Sequence, residues 1–138
     1  MPTPDQIAFL NEFLSVARIA VVSANSESGY PQVTPNWFNW DGERLSISTT
    51  KDRFKYKNYT RDPRATVLIY EDAKALDYVL LRGDVEIQDD DDIWGPTSAI
   101  LSRHLTQEKT DAYIKRMKDT EQRVVLWLTP TRITRRNA

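Results

Sequence analysis

The chain has 138 residues, 40% hydrophobic, with no cysteine and with 19 Lys and Arg against 20 Asp and Glu, a formal net charge of -1. Its length suits one compact domain spanning residues 1 to 138, and the missing cysteine excludes disulfides, thiolate metal sites and cysteine nucleophiles. The balanced charge leaves no overall positive field, so no nucleic-acid partner is expected; the amino end, MPTPDQIAFLNEFL, has neither a basic leader nor a long apolar run, which predicts no signal peptide, no membrane partner and a cytoplasmic protein.

In chain order, Thr3 is placed to cap a helix, Pro4 takes its first position, Gln6 completes a capping box, and Ile7, Leu10, Leu14 and Ala17 recur on one face. RIAVVSA, residues 18 to 24, is a β-branched run that ends in NSESGYP and resumes as QVTPNWFNW, residues 32 to 40, which predicts a hairpin with a loose tip. Asp41-Gly42 then turns that strand into ERLSISTT, residues 43 to 50, with Leu45 and Ile47 expected to face the core and Ser46 and Ser48 the other side. ATVLIYE, residues 65 to 71, and ALDYVLLRGDVEIQ, residues 75 to 88, predict two more strands, the second with a bulge or bend at Gly83. Across residues 89 to 121, turn signals around Gly95-Pro96 and near Thr106 divide two modest helices, and QRVVLWLTP, residues 122 to 130, is a last strand with TRITRR as its continuation. The fold expected is mainly β, of the α+β kind: a six- to seven-stranded antiparallel barrel with a few short helices.

One stretch stands apart from this neutral background. Lys51, Arg53, Lys55, Lys57, Arg61 and Arg64 put six cations into fourteen positions that hold only Asp52 and Asp62 as acids. The segment leaves a strand at Thr49-Thr50 and reaches the next at Ala65, with room for a short helix that Asp52 or Thr50 caps and Pro63 ends. At helical spacing Arg53, Lys57, Arg61 and Arg64 share one side, while Lys51 and Lys55 lie on another beside Phe54 and Asn58. The cations therefore form no single stripe, and a solvated helix face is the plain reading. The first turn is the exception. It gathers the hydroxyls of Ser48, Thr49 and Thr50, unpaired backbone amides, and the cations of Arg53 and Lys55, the chemistry that holds a phosphate. Cations at the positive end of a helix are unfavourable for the helix itself, and an anionic ligand relieves that conflict.

The order of these segments, with the run R-x-K-x-x-N-x-x-R-D-P-R-A from Arg53 to Ala65 followed at once by a β-branched strand, resembles the pyridoxamine 5'-phosphate oxidase-like split barrels, the flavin and deazaflavin oxidoreductases. That resemblance implies a split β-barrel of the FMN-binding type, working as a homodimer with its cofactor in a groove at the dimer interface. It is similar above all to the branch that uses coenzyme F420 to reduce small conjugated or quinone-like molecules; FMN is the cofactor of other branches. By the same resemblance Arg53 and Lys55 are the phosphate-binding cations, Ser48, Thr49 and Thr50 line phosphate and ring, and Thr34, Pro35 and Asn36 run beside the ring. Asn58, the asparagine of the run, goes with the cofactor-binding set. The chain departs from the oxidase proper, which has an Arg and a Lys where QVTPNW offers Gln32, Thr34 and Asn36, and this disfavours a vitamin B6 oxidase.

Hydride transfer belongs to the cofactor, so the lack of a triad does not exclude an enzyme, and no catalytic residue is assigned. His104 alone builds neither a metal site nor a triad and reads as structural or solvated. The acidic run 89 to 92 lacks the spacing of a calcium loop and reads as a cap for the following helix, so no metal is expected. Among the four tryptophans Trp37, beside Asn36, is the one promoted to ring contact, since a flat ring needs a flat apolar wall; Tyr78 is a weaker candidate. The rival functions are an FMN-binding relative acting as a flavin reductase or oxidase, and a carrier that binds cofactor without turnover.

Overall fold

Helix α1 (Pro4–Phe13) begins as its cap signals require: Thr3 Oγ1 accepts from the Gln6 amide at 3.2 Å, and Gln6 Oε1 accepts from the Thr3 amide at 2.9 Å. The computed structural model describes residues 1–71 and 77–136. Leu10, Phe13 and the C-cap Leu14 are buried, whereas Ala17 of the expected apolar stripe lies beyond the helix end and is exposed.

The strands are β1 (Ala20–Asn25), β2 (Pro31–Asn36), β3 (Asn39–Trp40), β4 (Leu45–Thr50), β5 (Arg64–Tyr70), β6 (Tyr78–Gln88), β7 (Arg123–Leu128) and β8 (Arg132–Arg135). Ala75 and Leu76, which open the sequence-predicted strand now seen as β6, lie outside the described residues. Eight strands among the described residues replace the six or seven expected, for two local reasons. QVTPNWFNW is cut in two at Trp37 and Phe38, the latter fully buried, and TRITRR is a strand of its own that pairs with β6 after the break at Thr129 and Pro130.

All pairings are antiparallel, in the order β2-β1-β5-β6-β7-β4-β3, with β8 beside β6. The long β6 makes the corner. Tyr78 to Asp84 pair with β5 and Val85 to Gln88 with β7, so the strand changes partner just after Gly83. A Cβ at Gly83 would stand 2.5 Å from the Thr129 carbonyl oxygen and 2.9 Å from Leu128 Cδ1, so the expected bend is a close backbone approach that only glycine allows. Inward residues alternate along each strand: Val22 on β1, Val67 and Ile69 on β5, Val79 and Leu81 on β6, Val124 and Leu126 on β7 are all buried.

The path leaves β2 at one end and β3 with β4 at the other, and no ladder joins them. That opening is the split of the barrel. Helix α2 (Phe54–Arg61) sits across one end of it, against β1 and β4. Helix α3 (Trp94–Leu101) lies on the outside of β4, which explains why Ser46, expected to face outward, is as buried as its neighbours Leu45 and Ile47. Gly95-Pro96 is no turn: both residues lie in the first turn of α3, where proline has no hydrogen bond to lose. Thr106 Oγ1 accepts from the Lys109 amide at 3.3 Å and caps α4 (Gln107–Thr120). A curled antiparallel sheet with four short helices is a split β-barrel of the α+β class, as expected. Among the described residues no helix is long and apolar enough to cross a membrane.

Candidate functional site

Most of the six cations have protein partners. Lys51 Nζ meets Asp89 at 2.6 Å. Arg64 clasps Asp62 through Nη2 at 2.8 Å and Nε at 3.0 Å, and these donors, together with Asn25, hold the Asp62 carboxyl well below the usual carboxylate range. Arg61 donates to the Asn25 carbonyl and, at 3.2 Å, to Asn58 Oδ1, with Glu27 at 3.8 Å. Lys57 stands over the exposed Phe54 ring at 5.8 Å. Arg53 and Lys55 are what remains.

Arg53 is itself the N-cap of α2, which corrects the expectation of Asp52 or Thr50; Asp52 instead accepts from Thr50 Oγ1, and no side chain caps the helix. The amides of the first turn are thus left for another acceptor. Lys55 reaches from α2 to β2. Its half-buried ammonium donates to Thr34 Oγ1 at 3.1 Å, and no carboxylate pairs with it among the described residues. Burial first, and the nearby Arg53 second, lower its pKa. Thr34 Oγ1 also accepts from Asn36 Nδ2 at 3.2 Å, so the contact continues along β2.

A cavity of about 490 Å³ occupies the split. Pro35, Asn36 and Trp37 wall it from one barrel end and Ser48 from the other; α3 and α4 contribute Ile100, Leu101 and Met117. Trp37 lies flat on His104, ring centroids 4.4 Å apart and planes 8° from parallel. The histidine expected to be structural or solvated backs this wall; burial and the adjacent Arg103 lower its pKa, and its Nε2 is buried with no hydrogen-bond partner among the described residues. A second cavity of about 300 Å³ opens between Thr50, Arg53 and the end of α4.

The residues singled out from sequence divide accordingly. Pro35, Asn36, Trp37 and Ser48 share the larger cavity, Thr50 and Arg53 the smaller, and Thr34 with Lys55 bridges toward the first. Thr49 alternates with Ser48 and is buried with Leu45 and Ile47. Asn58 is buried too, bonded to Gln32 Oε1 at 3.3 Å, and ties α2 to β2. Arg123 was not legible. It lines both cavities, with Nη1 donating to Ser48 Oγ at 3.0 Å and Nε to Glu121 Oε2 at 2.7 Å. Only the β4 to β7 ladder, joining segments 73 residues apart at Thr50 and Arg123, puts it there.

The barrel, its split and a cation-lined groove define a class of cofactor-binding fold, and residues 8–137 match the family described as pyridoxamine 5'-phosphate oxidase. The chain belongs to that family. Among solved structures it is similar to a protein described as an F420 reductase, at 25% identity and TM-score 0.66, covering 97% of this chain and 98% of that one. It is similar in fold to a conserved hypothetical protein from Mycobacterium tuberculosis, at 21% identity and TM-score 0.78, covering 98% and 84%. A general stress protein 26 relative of the pyridoxinephosphate oxidase family from Clostridium acetobutylicum matches at 19% identity and TM-score 0.70, covering 99% and 91%. No curated protein matches the chain.

Proposed function

We propose that the protein is an oxidoreductase that takes a hydride from reduced coenzyme F420 and delivers it to a small conjugated or quinone-like substrate, acting as a homodimer. One observation carries this reading: a half-buried lysine between α2 and β2, Lys55, whose described hydrogen-bond partner is a neutral hydroxyl. A cation held out of water without a counter-charge is a place prepared for an anion. The residues fit a phosphate-bearing cofactor, since Lys55, Arg53 and the uncapped start of α2 offer charge and amides. Asn36, Trp37 and Ser48 offer a wall for a flat ring. When bound, the cofactor supplies the hydride; this chain orients it, holds its phosphate and excludes water from the split.

F420 is favoured over FMN by the likeness to a protein described as an F420 reductase and by the neutral residues Gln32, Thr34 and Asn36 on β2, where the oxidase proper has an Arg and a Lys. Dimerisation is favoured by the outer face of β5 and β6, where Leu68 pairs with Leu80 and Tyr70 with Tyr78 around an apolar hollow of about 450 Å³. Titration calorimetry with F420 and with FMN tests the cofactor. Tighter F420 binding supports the reading, and tighter FMN binding replaces it by a flavin enzyme or carrier.

A further inference from the structure

Arg123 is held at two points but not used up. Glu121 takes its Nε and Ser48 its Nη1, while Nη2 makes no hydrogen bond among the described residues. The side chain is only 16% exposed, and what it exposes faces the two cavities it lines. With Nε and Nη1 engaged on different edges, the guanidinium keeps Nη2, a donor with two hydrogens, for a second acceptor. Around it the larger cavity is mostly apolar on the helix side, where Ile100, Leu101 and Met117 line it together with Thr97 and Tyr113, and Asn36 and Trp37 line it from the strands. The phosphate-binding role already has its cations in Arg53 and Lys55, which leaves Arg123 without a place in the cofactor account.

We infer that Arg123 is the specificity-determining residue of the substrate pocket, and that the substrate is a conjugated carboxylate whose acid group rests on this guanidinium while its apolar body lies against α3 and α4. The inference deepens the proposed oxidoreductase function and rests on it for the reaction, though not for the binding. The pocket holds one charged donor, Arg123, among mostly apolar side chains and a few neutral polar ones, an arrangement that fixes the orientation of a small acid by one end. A neutral amide of the same shape still accepts from Nη2 through its carbonyl but loses the charge-assisted part of the bond, which sets the acid apart from it.

The test uses trans-cinnamate and its neutral isostere trans-cinnamamide as probes, titrated by calorimetry into the protein with and without F420. Cinnamate is expected to bind about tenfold or more tightly than cinnamamide, the effect of one charge-assisted hydrogen bond. Arg123→Gln brings the two within about twofold while cinnamamide affinity stays level; Arg123→Lys, which keeps the charge but loses the fork, retains a reduced preference. F420 affinity shifts less than the acid-to-amide ratio in both variants, since Arg123 reaches the ring wall only through Ser48. Equal binding of acid and amide by the parent protein overturns the inference, as does an acid preference that survives in Arg123→Gln. A loss of F420 affinity in Arg123→Gln would assign the residue to the cofactor instead. Because the acid-to-amide ratio is read without cofactor, its failure is separate from a failure of F420 to bind.

Discussion

Lys55 is a residue whose local energetics favour its removal and whose position favours a ligand. Burial and Arg53 disfavour its charged form in the folded chain, so below its ordinary pKa of 10.5 the fold carries a penalty that fades as pH rises through the depressed value. Lys55→Met is therefore expected to raise the melting temperature of the cofactor-free protein at neutral pH while weakening F420 binding by about 1.5 to 3 kcal/mol. Scanning calorimetry and titration on one preparation read both signs; a variant that loses stability and keeps affinity would make Lys55 an ordinary structural lysine. His104 titrates in the other accessible range. Its pKa lies below the ordinary 6.5, so the unfolded chain takes up protons first as pH falls through that value, and stability falls with it. His104→Phe preserves the stack on Trp37 and is expected to flatten the dependence of melting temperature on pH in that window. An unaltered slope would place the acid sensitivity elsewhere.

At the scale of elements, the parts read best from sequence are those specified within a few residues. The capping box at Thr3 and Gln6, the Asp41-Gly42 turn with Gly42 at φ 99°, and the break near Thr106 before α4 all carry their reasons locally, although the cap that Thr106 supplies was not read. Trp37 and Ser48 are brought to one cavity by the curl of the whole sheet; Ser48 stands out in the sequence for its hydroxyl before the basic first turn and Trp37 as a flat wall beside Asn36. Arg123 was missed because its meaning lies in a ladder between distant strands, and Ser46 was misjudged because the helix covering its face comes 48 residues after it in the chain, at Trp94. Arg103 shows the same distance effect: it donates to the Phe38 carbonyl at 3.1 Å and the Leu14 carbonyl at 2.6 Å, latching the end of α3 to the β2 to β3 break and to α1. Gly83 was legible as a bend, though not its cause. Gly83→Ala is expected to lower stability by about 1 to 3 kcal/mol in urea unfolding, the range for overpacking against neighbours that cannot move away; an unchanged midpoint would mean that β7 yields at its end.

The whole molecule is a barrel that its own sheet does not close, with cations and a flat aromatic wall at the opening and an apolar face on β5 and β6. Sedimentation is expected to give about twice the 16.0 kDa of one chain, and Leu80→Arg to give the single chain; a parent protein that sediments as a monomer at micromolar concentration contradicts the dimer. The central claim, that the split holds a deazaflavin by the cations of α2, is tested most directly by titrating F420 and FMN into the parent protein and into Lys55→Ala. The account predicts tighter binding of F420 than of FMN by the parent, and a loss of about tenfold or more in F420 affinity on removing the lysine. An order-of-magnitude preference for FMN, or F420 binding that does not notice the loss of Lys55, would contradict it.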